Sequence, residues 1–178
     1  MKKLLLIIDY QNDFVADTGS LTAGKAAQAI EKSLLKRIKA YQAAGDDILC
    51  TLDTHPAAGW TDQPEGRHFP LHCAEGSTGW KLYGKLADMD LETLTKASYM
   101  LDQTDIDWLV RQYEQIELAG VATDICVLQN AVGLYNHAAN QGLKVAFTLS
   151  ADCVAALDAD KQQAALDYMK NILGFTIA

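Results

Sequence analysis

The chain has 178 residues, 49% hydrophobic and 21% charged, which suits one globular domain over residues 1–178 and excludes disorder or two ordinary domains. A formal net charge of −8 argues against a nucleic-acid or anionic-membrane surface, since both need a basic footprint. The four cysteines, at 50, 73, 126 and 153, make no CxxC pair. With no visible signal peptide and no apolar run of membrane-spanning length, a cytoplasmic protein with reduced thiols is expected.

In chain order, Leu4-Leu-Leu-Ile-Ile8 is a continuous apolar run bounded by charge, the pattern of a strand buried on both faces of a parallel sheet. It ends in Asp9-Tyr-Gln-Asn-Asp-Phe14, where ligands bind in open α/β sheets, although Asp9 also fits a cap or turn aspartate. Apolar spacing from Ala29 to Tyr41 predicts a helix over about 25–44, stopped at Gly45. Residues 47–52 read as a second strand, ending in Asp53-Thr-His55. A long loop over 56–80 holds all three prolines, and loops of that length in compact domains are usually functional. Residues 81–86 read as a short helix, and 91–95 as a third strand ending in Lys96-Ala-Ser-Tyr99. A helix is predicted from a cap at Thr104 to about Tyr113, then a strand at about 115–119. Another helix is predicted from Ile125 to about Ala139, a strand over 144–149, a helix over 158–171 and a final strand at 175–177. Strands alternating with helices imply a parallel sheet covered on both faces.

Several strands therefore end in chemically useful residues, and in a parallel sheet those ends share one edge. Cys126 falls in the first turn of a helix, where free N–H groups and the positive dipole end favour a thiolate; a buried apolar cysteine is the plainer reading. Asp9, Lys96 and Cys126 form a workable set. The carboxylate can take the thiol proton, and the ammonium can hold the carboxylate and stabilise sulfur anion. Taken alone, Lys96 also fits a solvated surface lysine.

Together Asp9-Tyr-Gln-Asn-Asp-Phe14, Asp53-Thr-His55, Phe69-Pro-Leu-His-Cys73, Lys96-Ala-Ser-Tyr99 and Gly120-Val-Ala-Thr-Asp-Ile-Cys126 resemble the isochorismatase-like cysteine hydrolases, nearest to the nicotinamidases or pyrazinamidases. The resemblance implies a three-layer α/β/α sandwich around a six-stranded, mostly parallel sheet. It implies Cys126 as nucleophile, Asp9 as its base and Lys96 as positioning cation. It also implies a cis peptide between Val121 and Ala122, with the N–H groups of Ala122 and Cys126 forming an oxyanion hole. The activity it implies is hydrolysis of nicotinamide, and of pyrazinamide, to the acid and ammonia through a cysteine thioester, in NAD salvage. Homo-oligomers are frequent in the family.

Asp53, His55 and His72 offer one oxygen and two imidazoles, a donor set for Zn²⁺ first, with Fe²⁺ or Mn²⁺ as alternatives; hydrogen-bonded loop histidines would look the same. Asp-x-His on an extended segment puts both side chains on one face. Many nicotinamidases carry a third histidine where this chain has Thr61. Other relatives use a glutamate, which Glu65 matches, so the expected ligands are Asp53, His55, Glu65 and His72, with His68 and then Asp62 as competitors. The resemblance places the pyridine ring among Phe14, Phe69 and Tyr99, which read equally as core aromatics. Two other readings are a hydrolase of the same fold acting on another small amide or carbamoyl compound, and a metal- or ligand-binding module without turnover.

Overall fold

A strand with no polar residue on either face belongs inside a sheet that is covered on both sides. In the computed structural model, which describes residues 2–178, β1 (Lys3–Ile8) is that strand, with Leu4 to Ile8 fully buried. The elements that follow are α1 (Asn12–Val15), α2 (Gly24–Ala29), α3 (Glu31–Ala44), β2 (Asp47–Asp53), β3 (Glu92–Lys96), α4 (Gln103–Gln112), β4 (Gln115–Val121), α5 (Leu128–Asn140), β5 (Ala146–Ala155), α6 (Ala159–Asn171) and β6 (Thr176–Ile177). The six strands run in the order β3-β2-β1-β4-β5-β6, and every strand pairing is parallel rather than mostly so.

Alternation along β1 separates the core into two slabs. Leu4, Leu6 and Ile8 pack with α4, α5 and α6, while Leu5 and Ile7 pack with α2 and α3. The result is the α/β/α sandwich. Strand order grows outward from β1 in both directions, so the topological switch point lies between β1 and β4. The strands approach closely there. Gly120 has φ +107°, and a Cβ on it would stand 2.0 Å from the Ile8 carbonyl oxygen.

Four expected elements differ, each for a local reason. The single helix over 25–44 is two, because the Tyr10 hydroxyl donates to the Ala27 carbonyl, which an unbroken helix would use for the Glu31 N–H. Gly45 does stop α3, with φ +71°. The expected helix at 81–86 is absent. Tyr83 N donates to Tyr10 O, Leu82 bridges Gln11, and the chain coils only over Gly84–Asp88, as a 3₁₀ turn. The cap of α4 is Asp102 rather than Thr104, since its carboxylate accepts the N–H groups of Thr104 and Asp105. Strand β5 runs on to Ala155 through a bulge. Its register against β4 jumps from Leu118↔Leu149 to Gly120↔Val154, so Ser150, Ala151 and Asp152 lie within the strand, not beyond it. Among the described residues no helix is long and apolar enough to cross a membrane.

Candidate active site and metal site

The carboxyl ends of β1, β2, β3 and β4 supply Asp9, Asp53, Lys96 and the turn that carries Cys126. Asp53 and Lys96 are direct register partners. Asp9 follows β1 with φ +48° and is fully buried. Its N–H donates to Thr51 Oγ1 at 3.1 Å, and the same hydroxyl donates back to Asp9 Oδ1 at 2.5 Å. Lys96, 5% exposed, reaches Asp9 Oδ2 at 2.7 Å, Asp53 Oδ1 at 2.9 Å, the Ser98 carbonyl at 2.8 Å and Cys126 Sγ at 3.9 Å. Sulfur, carboxylate and ammonium from three distant stretches thus meet at the switch point.

Beyond β4 the Val121–Ala122 peptide is cis. The chain then winds through a π-helical turn, Thr123–Val127, before α5 begins. Cys126 therefore lies in a widened turn ahead of α5, not in a regular first turn. Its thiol is pushed well up: burial dominates, Lys96 opposes, and the charges of Asp9 and Asp53 add to the rise. The direction is opposite to what a helix start alone would give, because a turn's dipole is small beside full desolvation next to two carboxylates. Burial also raises Asp9, with Lys96 pulling it back. Burial pushes Lys96 down, but Asp9, Cys126 and Asp53 outweigh it and keep the ammonium charged.

The donor atoms of Asp53, His55 and His72 all lie within 4.8 Å of one another, and all three residues are buried. His55 Nε2 is 2.9 Å and His72 Nε2 is 3.2 Å from Asp53 Oδ2. Glu65 closes on both imidazoles, its Oε2 3.9 Å from His55 Nε2 and its Oε1 3.5 Å from His72 Nε2. Two features fit this cluster to a cation. His72 Nδ1 is held at 2.9 Å by the Pro70 carbonyl, which turns the Nε2 lone pair toward the cluster. That Nε2 is buried and faces carboxylate oxygens at 3.2 and 3.5 Å without forming a well-aligned hydrogen bond to any described residue. Burial and the two carboxylates compete over His72 and the carboxylates win, raising it to about 10; burial likewise lifts Asp53, but His55, His72 and Lys96 hold it well below the usual carboxylate range. Carboxylates that hold a proton so firmly would hold a divalent ion in its place. His68 and Asp62 are exposed and make no contact with the cluster.

A cavity of about 840 Å³ opens over both groups, lined by Cys126, Ala122, Asp53, Glu65 and the aromatic rings of Phe14, Phe69 and Tyr99. The three aromatics expected beside a substrate ring therefore border one chamber with the sulfur.

The isochorismatase domain family matches residues 3–178. The chain belongs to the isochorismatase family. Among similar proteins, an uncharacterized isochorismatase family protein, PncA, of Bacillus subtilis (strain 168) is 34% identical, over 100% of both chains. A nicotinamidase/pyrazinamidase of Mycobacterium tuberculosis (strain ATCC 25618 / H37Rv) is 28% identical over 94% of each. The crystal structure of a pyrazinamidase/nicotinamidase from Streptococcus mutans UA159 superposes with a TM-score of 0.88 at 36% identity, covering 99% of this chain and 100% of that one.

Four supporting residues of this isochorismatase-family site escape a reading of the sequence. Thr51 grips Asp9. Gln11, fully buried, brackets the Asp53 backbone, with Nε2 donating to its carbonyl at 2.9 Å and Oε1 accepting its N–H at 2.8 Å. Trp60 lays its ring 4.5 Å from that of His55 and 5.2 Å from that of His72, and its Nε1 donates to the Phe69 carbonyl. Asn130 holds the Cys126 carbonyl at 2.8 Å. Only Gln11 carried a signal, as a part of the motif that contains Asp9.

Proposed function

We propose that this chain hydrolyses nicotinamide, and pyrazinamide, to the corresponding acid and ammonia through a thioester on Cys126. The observation that carries the reading is that Lys96 touches both Cys126 and Asp9 beside an aromatic-walled cavity whose lining includes Cys126 together with Asp53 and Glu65 of the ligand cluster. Names given to relatives that cover nearly the whole chain support the same activity.

Because the resting thiol is protonated, activation belongs to the step itself. Asp9 takes the Cys126 proton as sulfur attacks the amide carbon, forming the C–S bond and placing the negative charge on oxygen. The N–H groups of Ala122 and Cys126 receive that charge. Collapse breaks the C–N bond, and Asp9 passes the proton to the departing nitrogen, which leaves as ammonia. Water then attacks the thioester with Asp9 as base, and the proton returns to sulfur as the acid departs. Lys96 keeps Asp9 oriented and offsets the negative charge through each exchange. Phe14, Phe69 and Tyr99 confine the planar ring. Asp53, His55, Glu65 and His72 would hold a divalent ion, Zn²⁺ by the character of the donor set, as a Lewis-acid anchor for the ring nitrogen. Such a deamidation returns the pyridine acid to NAD salvage.

Ammonia release from nicotinamide, pyrazinamide and a panel of other small amides and carbamoyl compounds tests the reading. Turnover on the pyridine amide that vanishes in Cys126→Ala, with fold and metal content intact, is the expected result. Preference for a carbamoyl compound would reassign the substrate, and near-normal activity in the variant would remove the nucleophile.

A further inference from the structure

We propose that Asn130 is a positioning residue that locks the nucleophile turn to the Tyr99–Leu101 segment bordering the cavity, an inference that rests on the cysteine-hydrolase reading above. Asn130 is fully buried on the first turn of α5 and uses its amide in three directions. Nδ2 donates to the Cys126 carbonyl at 2.8 Å and to the Tyr99 carbonyl at 3.1 Å, and Oδ1 accepts the Leu101 N–H at 3.0 Å. The orientation of the amide is fixed by its partners. A backbone N–H can only donate, so Oδ1 must face Leu101, and both hydrogens of Nδ2 then meet carbonyl oxygens.

The site needs this clamp because of how the turn is built. Val127 N–H pairs with the Ala122 carbonyl and Leu128 N–H with the Thr123 carbonyl, each five residues back, so the ladder is one residue wide of α-helical spacing at Cys126. The Asn130 side chain takes hold of the Cys126 carbonyl just where that ladder returns to α-helical pairing. Its other two bonds grip Tyr99 and Leu101, the segment that runs on from Lys96. Sulfur, Lys96 and the Tyr99 wall are thereby tied through one amide, at a site where a displacement of about 1 Å can cost on the order of 10²-fold in rate. An aspartate there would turn a carboxylate oxygen toward two carbonyls, which repels the same groups the amide joins.

The experiment compares wild-type protein with Asn130→Ala and Asn130→Asp, each metal-loaded. It measures nicotinamide kcat and KM, metal content, thermal midpoint, and the rate at which iodoacetamide alkylates Cys126, read by mass spectrometry of the peptide that bears it. The expected order of both kcat and alkylation rate is wild type, then Ala, then Asp. The Ala variant should lose about 10- to 100-fold in kcat, with metal content retained and a smaller change in KM. A merely structural Asn130 would lower the midpoint and leave both rates per folded molecule unchanged, which overturns the proposal; if the Asp variant does not fold, the Ala variant alone decides. Alkylation needs no turnover. Wild type inactive on every amide, with the alkylation order intact, would sink the substrate reading and spare this one.

Discussion

Glu117 is a carboxylate in the middle of β4, 1% exposed, where sequence patterning expects an apolar side chain. It survives there because every lone-pair direction is met. Arg37 forks onto it with Nε at 2.6 Å and Nη2 at 2.5 Å, the Tyr41 hydroxyl donates at 2.8 Å and Ser150 Oγ at 3.2 Å. Removing one partner of a buried pair costs more than the pair contributes, since the other charge is stranded. Arg37→Leu should therefore destabilise the fold by about 3 kcal/mol, the low end of the usual range because the guanidinium keeps one edge in water. Urea unfolding gives the number, and a loss under about 0.5 kcal/mol would show the carboxylate to be well solvated without its arginine. Of the candidate site residues, Asp9, Asp53, His55, Lys96 and Cys126 stood out in the sequence because each follows a strand, whereas Glu65 and His72 lie in the long loop and came mainly with the family resemblance. The residues that hold them did not stand out. Thr51 is one more hydroxyl inside a strand, Asn130 one more amide on a helix, and Trp60 a loop aromatic; their partners are backbone groups and rings brought near only by folding.

Among the elements, short apolar runs and helical spacing gave every strand and the main helices, and missed where tertiary hydrogen bonds override local preference. The break at Ile30 and the uncoiled 81–83 segment both trace to Tyr10, whose hydroxyl takes a helix carbonyl and whose own carbonyl takes a loop N–H. The bulge in β5 stayed hidden because Ser150 to Asp152 look like a turn in one dimension. Gly120 shows how tightly the β1–β4 seam is specified. A methyl group there would meet the Ile8 carbonyl oxygen at 2.0 Å, at a φ of +107° that side chains other than hydrogen avoid. Neither strand can retreat without breaking the pairing that runs from Lys3↔Gln115 to Ile8↔Gly120. Gly120→Ala should cost about 3 kcal/mol, from strain and overpacking together. It should also lower amidase kcat in the fraction that remains folded, because Ile8 is followed directly by Asp9. Thermal unfolding with a parallel rate assay checks both, and wild-type values in either would mean the seam is looser than its geometry.

At the scale of the molecule, the loop from Asp53 to His72 is held by few regular hydrogen bonds, and its inner face gathers Asp53 and Glu65 around two imidazoles. Without a cation those carboxylates lean on the His72 proton. That group's pKa rises from 6.5 to about 10, so its contribution to stability is full below about pH 6.5 and fades as pH climbs toward 10. A bound divalent ion displaces that proton and inverts the dependence, since binding weakens as protons compete. Stripping with a chelator should therefore lower the thermal midpoint, and reloading Zn²⁺ to about 100 times its dissociation constant should restore about 2.7 kcal/mol, roughly 5–10 °C for a chain of this size. At one fixed Zn²⁺ concentration the gain should grow between pH 6 and pH 8 as the dissociation constant falls. Glu65→Gln should shrink it and weaken nicotinamide binding, whereas His68→Ala should leave both alone, because His68 is exposed and stands outside the buried ligand group. Calorimetry of the stripped and reloaded protein at several pH values tests the set. An equal gain in Glu65→Gln would remove Glu65 from the ligand sphere, and a gain that disappears in His68→Ala would mean that the loop rearranges around the ion.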